Sequence, residues 1–348
     1  MDNNVLVIGN GYDVAHGLKT KYEHFIEWVR VLNGDYSKCY VSGDDGYVER
    51  LSNNGFVKYF LDYTGQVPGW IDLEHLIKRV INNFDSFFSN YTEYINALNR
   101  VDISFSKNDP YEIKKMRMFY GISMFPIFKD IKSQGNNYFY TLDKSYYTKK
   151  YGLNKKAILQ LLKCELDDLI MLLQIYLNLH LNEMRDKLKV KEQLSKINPS
   201  YVISFNYTDT YELYGIKKEN VFHVHGSCDL DNMVLGFDDD SPMKLDFVYF
   251  KKYFQRIQKS TGYIDEERIA KNSSGITEMS IIHFYGHSMD NTDGDIIRQL
   301  RTVAKKFIVY KYSQDDYEQK VINLITVFGK DEAMDMIQKG FIQFVDCE

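Results

Sequence analysis

The segment VLVIGNGYDVAHG near the start of the chain constrains the fold most. Residues 5–8 form a continuous apolar run that ends at Gly9. A run this short and this apolar is typical of a strand buried on both faces of a parallel sheet. Gly9 and Gly11 then permit a sharp turn, and we expect Asp13 to cap a short helix directly after it. In α/β folds this arrangement presents free backbone N–H groups to a phosphate.

The glycine pattern matches a dinucleotide-binding fingerprint only in part. The motif GxGxxG requires a third glycine at position 14, where this chain has Val14, and the next glycine is Gly17. A tight strand-to-helix turn without a ligand therefore remains an alternative interpretation of the segment.

Composition excludes several classes of protein. A net charge of −5 argues against non-specific nucleic-acid binding. No apolar run reaches the roughly 18 residues that a membrane helix needs, and the N-terminus lacks the pattern of a signal peptide. The four cysteines form no CxxC pair, which argues against a zinc ribbon and suits reduced thiols. We therefore expect a cytoplasmic protein without membrane contact.

Later in the chain, short apolar runs alternate with amphipathic helical patterns. Such alternation indicates βαβ units and a parallel sheet, to which residues 5–8 also belong. The predicted strands are residues 201–205, 221–225, 280–285, 307–310 and 341–345. The predicted helices between them are residues 295–305, 316–328 and 331–339.

The middle of the chain has a different character. Its apolar spacing predicts helices over residues 22–32, 111–131 and 156–188, with irregular structure over residues 136–150. We therefore expect an α/β nucleotide-binding domain made of residues 1–25 and 196–348, split by a mostly helical insertion of residues 26–195. The long helix of this insertion is a candidate surface for a homo-oligomer.

Polar residues follow four of the predicted strands. In open α/β sheets, ligands bind outside the carboxyl ends of the strands, so these four segments predict a site. The segments supply Gly9, Asn10, Gly11 and Asp13; Asn206, Thr208 and Asp209; His225, Gly226, Ser227 and Asp229; and Gly286, His287, Ser288 and Asp290.

Several of these segments resemble a known family. GNGYDVAHGLKTKYEHF at residues 9–25 and WIDLEHL at residues 70–76 resemble the AbiH-type abortive-infection proteins of bacteria. The resemblance continues along the chain through FNYT, HVHGSCD and YGHSMD. It implies a role in antiphage defence, with a phage-derived trigger that the sequence does not identify. In WIDLEHL, Glu74 is either a favourable first-turn acid of a helix capped by Asp72 or a catalytic carboxylate.

FNYT, HVHGSCD and YGHSMD are also distantly similar to elements of sirtuin-like NAD hydrolases. This second resemblance implies a Rossmann-like, sirtuin-like domain that cleaves NAD as its substrate and requires no cofactor. It places Asn206 at the functional asparagine and His225 at the catalytic histidine, and it implies that Asp293 contacts the nucleotide. The paired-cysteine zinc module of sirtuin deacetylases is absent, which argues against a lysine deacetylase.

Cleavage of the nicotinamide–ribose bond builds positive charge on the sugar. Asn206 can hold a ribose hydroxyl or a water, His225 can accept a proton, and Asp209 or Asp290 can stabilise the cation. The catalytic residues of this hypothesis are Asn206, His225 and Asp209. Its nucleotide-binding residues are Gly9, Asn10, Gly11, Asp13, Gly17, Thr20, Gly226, Gly286, His287, Ser288 and Asp290. The carboxylate of Asp13 would repel a pyrophosphate held at the glycine turn, unless it binds ribose hydroxyls or serves only as a helix cap.

Two other readings stay open. Histidines at the strand ends could bind a divalent metal and hydrolyse a phosphoester, and His223 and His225 would share one face of a strand. That site would combine His223, His225, His283 and His287 with Asp229, Asp238, Asp239 or Asp240, although no HxxEH or HD spacing occurs. Alternatively, the protein is a non-catalytic nucleotide-sensing module.

Overall fold

The computed structural model describes residues 3–34, 51, 53–66, 73–94, 100–104, 118–134, 137–238, 245–262, 264 and 280–348. The strands are β1 Asn4–Ile8, β2 Arg100–Ser104, β3 Phe128–Gln134, β4 Asn137–Leu142, β5 Tyr147–Thr148, β6 Gly152–Leu153, β7 Tyr201–Ser204, β8 Val221–His223, β9 Ser280–Tyr285, β10 Ala304–Lys311 and β11 Ile342–Asp346. The helices are α1 Asn10–Ala15, α2 Tyr22–Gly34, α3 Gly55–Gln66, α4 Leu73–Tyr94, α5 Lys155–Met184, α6 Glu192–Ser195, α7 Lys252–Gln258, α8 Gly294–Val303, α9 Gln314–Phe328 and α10 Lys330–Gln338.

The chain folds into two compact units. The first contains Met1–Lys21, Gln174–Asp240 and Lys252–Glu348, and the second contains Tyr22–Leu173 and Ser241–Lys251. No helix in the described part of the chain is both long and apolar enough to cross a membrane.

The first unit is built on a parallel sheet. Within the described ranges the sheet has six strands in the order β11-β10-β9-β1-β7-β8, and every neighbouring pair is parallel. A strand is present at each of the six predicted places, although β8 ends at His223, two residues before the predicted end, and the fold class is α/β. Because β1 lies between β9 and β7, it is a central strand of the sheet.

Strand β1 is buried on both faces, as its apolar run predicts. Val5 and Val7 contribute to the core on one side of the sheet, and Leu6 and Ile8 contribute to the core on the other. All four side chains are nearly inaccessible to solvent. Burial of an aliphatic side chain stabilises a fold by about 1.5–3 kcal/mol, so these four residues hold the centre of the sheet firmly.

The strand order reverses direction at β1. The chain passes from β1 outward to β7 and β8 on one side, and then from β9 outward to β10 and β11 on the other. In open parallel sheets a ligand crevice forms at such a reversal, beyond the carboxyl ends of the strands. Here that position lies between the turns that follow β1 and β9.

The second unit combines helices with antiparallel strands. Its described residues include a three-stranded antiparallel sheet in the order β2-β4-β3. The prediction of a helix over residues 111–131 is wrong at its end, because Phe128–Gln134 is strand β3. The prediction of irregular structure over residues 136–150 is wrong for Asn137–Leu142, which is strand β4. Strands β3 and β4 are consecutive, with two residues between them, and they pair antiparallel, whereas β2 pairs with β4 from more than thirty residues away. Neither segment has the strict alternation of apolar and polar residues that predicts a strand.

Two helices of the middle region match their predictions closely. Helix α2 covers the predicted residues 22–32, and helix α5 covers most of the predicted residues 156–188. Helix α5 is followed by a 3₁₀ turn at Arg185–Lys187. Glu74 lies in the first turn of α4, where an acid is favourable against the helix dipole. Asp72 lies outside the described residues.

Candidate functional site

The glycine turn after β1 packs directly against the turn after β9. The N–H of Gly9 donates to the carbonyl of Tyr285 (3.3 Å), and the N–H of Gly11 donates to the carbonyl of Gly286 (2.8 Å). A Cβ added to Gly9 would lie 2.7 Å from the Cα of His287. The glycines are therefore required by contact between two parts of the backbone. The expectation that the N–H groups of Gly9 and Gly11 are free to bind a phosphate is wrong.

Asp13 is a buried carboxyl and does not cap a helix. Helix α1 begins directly after Gly9, which is its N-cap, so the expected capping role is wrong. Asp13 is only 1% exposed, and its Oδ2 accepts a hydrogen bond from the hydroxyl of Thr208 (2.6 Å). No described residue donates to its buried Oδ1. Burial raises the pKa of Asp13 to about 6, although nearby hydroxyls favour the charged form.

Asn206 connects three neighbouring segments at the carboxyl edge of the sheet. Its side-chain Nδ2 donates to the carbonyl of Gly9 (3.0 Å). Its own carbonyl lies 3.0 Å from Nδ1 of His223, which donates to it as the protonated ring nitrogen. Because Asn206 is buried, these contacts hold the turns after β1, β7 and β8 in a fixed arrangement.

Asp209 belongs to a cluster on the outer side of this edge. Its carboxylate lies 2.8 Å from Nζ of Lys218 and 3.4 Å from Nε2 of His223, and it accepts a hydrogen bond from the hydroxyl of Tyr211 (3.0 Å). Burial acts to raise the pKa of Asp209, but His223 and Lys218 outweigh it and hold the pKa below its ordinary value. The charge of Asp209 is therefore balanced within this cluster.

His225 meets a second carboxylate, that of Asp293. Nε2 of His225 lies 3.2 Å from Oδ1 of Asp293, in a contact that is not a well-directed hydrogen bond. The same carboxylate lies 3.3 Å from Nζ of Lys252 and 3.6 Å from Nε2 of His287. His225 is 5% exposed and Lys252 is 1% exposed. The structure thus gathers two histidines and a lysine around one carboxylate, beside the reversal of strand order.

The protonation states of this cluster follow from its burial. Burial and the charge of Lys252 lower the pKa of His225, which makes its imidazole neutral at pH 7. Burial acts to raise the pKa of Asp293, but Lys252 and His225 hold that pKa well below its ordinary value. Nδ1 of His287 accepts a hydrogen bond from the N–H of Met289 (2.9 Å), so its Nε2 carries the proton.

A second buried cation stands next to this cluster. Arg256 lies 2.8 Å from the carboxylate of Asp295 and 3.3 Å from that of Asp238. Its Nη1 is buried and finds no acceptor among the described residues. Burial raises the pKa of Asp238 to about 6. Arg256 lies four residues after Lys252 on α7, so both cations project from one side of that helix, and both act on the pKa of His225.

Sequence reasoning missed Lys252, Arg256 and Asp295. Lys252 and Arg256 lie between two predicted strands, in a segment to which no motif was assigned. Their spacing of four is a weak signal for a shared helix face. It could have been found, but it does not reveal that the face is buried beside His225.

Three further predicted residues lie at the glycine turn and after α1. The hydroxyl of Thr20 donates to Oδ1 of Asn10 (2.5 Å), which ties the chain after α1 to the first residue of that helix. Gly17 is exposed, with a φ of +91° that favours glycine. Within the described part of the chain, none of these residues contacts the His225 cluster, which consists of His225, His287, Lys252 and Asp293.

The predicted residues Ser288, Asp290 and Gly226 have structural contacts. The carbonyl of Ser288 accepts from the side chain of Asn323 (2.8 Å). Asp290 caps a 3₁₀ turn by accepting from the N–H of Thr292 (2.9 Å), which positions the residues leading to Asp293. A Cβ on Gly226 would lie 2.2 Å from the carbonyl oxygen of Asn232, so this position requires glycine.

The histidines of the metal hypothesis lie at separate places. His283 is buried within β9, with Nδ1 3.2 Å from the hydroxyl of Tyr310. Burial and the charge of Lys306 lower the pKa of His283 to about 4. Strand β8 ends at His223, so the expectation that His223 and His225 share one strand face is wrong.

His225 and His287 both approach the same carboxylate of Asp293, so their nitrogens do not surround an open position. Among the described residues, no group of three or more His, Cys, Asp and Glu side chains has metal-binding geometry. Asp229 pairs with Lys218 (2.9 Å). Asp239 and Asp240 lie outside the described residues.

Comparison with known proteins identifies the family. The family model described as "Bacteriophage abortive infection AbiH" matches residues 5–312. No curated protein and no solved structure gives a match. The matched region begins at β1 and extends through β10, so it contains every residue of the His225 cluster. The chain therefore belongs to the AbiH family of bacteriophage abortive-infection proteins.

Proposed function

We propose that this abortive-infection protein binds a nicotinamide dinucleotide at the carboxyl edge of its parallel sheet and hydrolyses the bond between nicotinamide and ribose. Depletion of NAD would halt the infected cell before phage particles mature. Family membership supports the antiphage role. The chemistry rests on the residues at this edge.

The strand order supports a Rossmann-like, sirtuin-like interpretation of the sheet. Counted along the chain, the strands follow the order 3-2-1-4-5-6, in which doubly wound sheets bind dinucleotides at the reversal. The turns beside that reversal carry Gly9 and His287, which lie in contact. A dinucleotide bound there would lie close to the His225 cluster.

The contact between His225 and Asp293 is the observation that carries the proposal. A neutral histidine beside an ionised carboxylate is the arrangement that orients a general base. In the proposed reactive state, Nε2–H of His225 would turn towards Asp293, and the lone pair on Nδ1 would accept a proton. The carboxylate of Asp293 would then stabilise the imidazolium that forms.

The proposed reaction consumes one water. The nicotinamide–ribose bond breaks with its electron pair leaving on nicotinamide, and the sugar becomes cationic. The water oxygen bonds to the ribose carbon while His225 takes a proton from that water. Asp293, beside His225, would also act electrostatically on the developing cation. The products are nicotinamide, ADP-ribose and a proton.

Phosphate recognition would rest on side chains. The N–H groups of Gly9 and Gly11 are occupied by carbonyls, so they cannot hold the pyrophosphate. Lys252 and Arg256 are the cations beside His225, and both pair with carboxylates. We propose that the pyrophosphate displaces part of this pairing when the nucleotide binds. Asn206 then acts by positioning the turns, because its Nδ2 is bonded to Gly9.

The burial of His225 and Lys252 indicates that the cluster is closed at rest. An unregulated NAD hydrolase would kill its own host, so a closed resting state is what the proposed function requires. We propose that a phage-derived trigger opens the site. The assay must therefore include an extract of infected cells.

The test is release of nicotinamide from NAD by the purified protein, with and without infected-cell extract. His225→Ala and Asp293→Asn should lower the rate by about 10²–10⁴-fold, the usual contribution of a general base. His75→Ala is the matched control, because it removes an exposed histidine of the second unit.

Three results would contradict the proposal. Activity that survives His225→Ala would remove the proposed base. Activity abolished by a chelator would favour the metal-dependent phosphoesterase. Binding of NAD without turnover, in the presence of the extract, would favour the non-catalytic nucleotide sensor.

A further inference from the structure

A cavity of about 420 Å³ lies at the amino edge of the sheet in the first unit. Ile281, near the start of β9, lines it, whereas the candidate site lies beyond Tyr285 at the other end of that strand. Four residue steps at about 3.3 Å separate the two ends by roughly 13 Å. The cavity is therefore distinct from the candidate site. Among the described residues, its charged lining consists of Arg301, Lys305, Lys306, Lys339 and Asp335.

The described lining of this cavity is strongly basic. It holds four cationic side chains and one carboxylate, and that carboxylate, Asp335, already pairs with Lys339 (2.9 Å). Arg301 packs over the ring of Phe341, with its guanidinium carbon 4.0 Å from the ring centre. Its Nε is shielded from solvent and meets no acceptor among the described residues. The chain thus fixes the orientation of Arg301 without neutralising its charge.

Some of these cations lie near the C-terminus of a helix, where the helix dipole favours a positive charge. Arg301 lies in the last turn of α8 and Lys339 directly follows α10, where cations interact favourably with the helix C-termini. Lys305 and Lys306 are strand residues, placed at an irregularity of the β9–β10 pairing. They follow the end of α8 at Val303 by only two and three residues, so that helix end also attracts them, but a helix end carries only a partial charge. The concentration of four full positive charges around one cavity therefore points to an anion.

We propose that this cavity binds a small phosphate-bearing ligand of nucleotide or diphosphate type, with Arg301 and Lys306 as its main contacts. Arginine matches the geometry of phosphate oxygens and lysine supplies a compact charge. The volume lies within the range of pockets that hold small molecules. The apolar residues Ile281, Met336 and Phe341 give the same cavity a surface for a nucleoside. The inference does not depend on the proposed hydrolysis of NAD.

Titration calorimetry with inorganic pyrophosphate and with ADP, on the intact chain at low salt, tests the proposal. Arg301→Gln and Lys306→Gln should each weaken binding of at least one probe by tenfold or more. Lys330→Gln is the control, because it removes one exposed charge from the opposite end of α10. It should change binding by less than twofold.

Arg301→Gln and Lys306→Gln differ in how strongly they are expected to affect the stability of the fold. Arg301→Gln removes a packing contact and could destabilise the fold, which circular dichroism would reveal, whereas Lys306→Gln tests the site without that loss. The absence of binding to the unaltered protein would overturn the proposal. So would binding that neither variant weakens, or binding that Lys330→Gln weakens equally.

Discussion

Replacement of Asp13 by asparagine should stabilise the protein at neutral pH. Asp13 is almost completely buried, and its carboxyl accepts one hydrogen bond, from Thr208. Removal of a charge from such a position relieves the cost of burying it, while the amide oxygen can still accept from Thr208. The substitution therefore tests whether the fold tolerates an unfavourable charge at the turn beside the candidate site.

The magnitude follows from the pKa of Asp13. A pKa of about 6 in the folded protein, against the ordinary 3.8, corresponds to about 3 kcal/mol at about 1.4 kcal/mol per pH unit. Because the folded pKa is raised, the folded state binds the proton more tightly between these two values. The protonated carboxyl of Asp13 therefore makes its full contribution to the free energy of unfolding below about pH 4, and this contribution is lost as the pH rises through 6.

Asparagine does not titrate. The decisive quantity is therefore the difference in unfolding free energy between variant and parent, measured as a function of pH. The unfolding free energy of Asp13→Asn minus that of the parent should rise by about 3 kcal/mol between pH 4 and pH 7. Urea unfolding followed by circular dichroism, with hydrogen exchange of β1 amides, would measure it. Tryptophan fluorescence is unsuitable, because the sequence ranges that form the first unit contain no tryptophan.

Asp209→Asn is the matched control with the opposite sign. His223 and Lys218 hold the pKa of Asp209 below its ordinary value, so the charged form stabilises the fold above about pH 4. This variant should be less stable than the parent at pH 7, and the difference should begin to shrink below about pH 4 and disappear only as the pH falls through the lowered folded pKa. A pH-independent difference for Asp13→Asn, or a loss of stability that grows towards neutral pH, would refute the reasoning.

Further predictions concern the cluster and the glycine turn. Asp293→Asn should lower the pKa of His225 further and Lys252→Gln should raise it, because these charges act on the imidazole in opposite directions; NMR titration of the imidazole would measure both. Gly286→Ala should destabilise the protein by about 2 kcal/mol or more in urea unfolding, since its Cβ would lie 2.0 Å from a backbone nitrogen of α1 at a positive φ. Gly17→Ala, also at a positive φ but with no atom within 4 Å, should cost only about 1–2 kcal/mol.

Much of the parallel sheet could be predicted because its signals are local. The apolar run at residues 5–8 has the composition of a strand buried on both faces, and both faces are buried. The strands after residue 200 are short, apolar and separated by helical patterns, which is how parallel sheets repeat along a sequence. By contrast, Phe128–Gln134 contains two lysines and an aspartate, and it forms a strand because β4 pairs with it.

Local sequence signals also predict where some residues of the candidate site lie. The positions of Asn206, His225 and His287 follow from strand ends, which sequence patterns reveal. The partners of these residues do not follow from such patterns. The glycine turn looks like a phosphate site in sequence, yet the turn after β9 occupies its N–H groups. Likewise, Asp293 was assigned to nucleotide contact, and its place beside His225 and Lys252 depends on segments far apart in the chain.

The arrangement around Asp293 is an energetic argument in favour of the proposed function. Burying charges is costly, and their mutual attraction offsets that cost only in part, so apolar residues of similar volume would stabilise such a position as well or better. Asp293 nonetheless faces His225, His287 and Lys252 in nearly complete burial. The buried carboxyl of Asp13, on helix α1 directly after the glycine turn, has a raised pKa and is a second energetically unfavourable residue at this edge of the sheet. Residues that lower the stability of a fold occur mainly at functional sites. Two such residues near the reversal of strand order therefore favour a functional role for this region over a purely structural one.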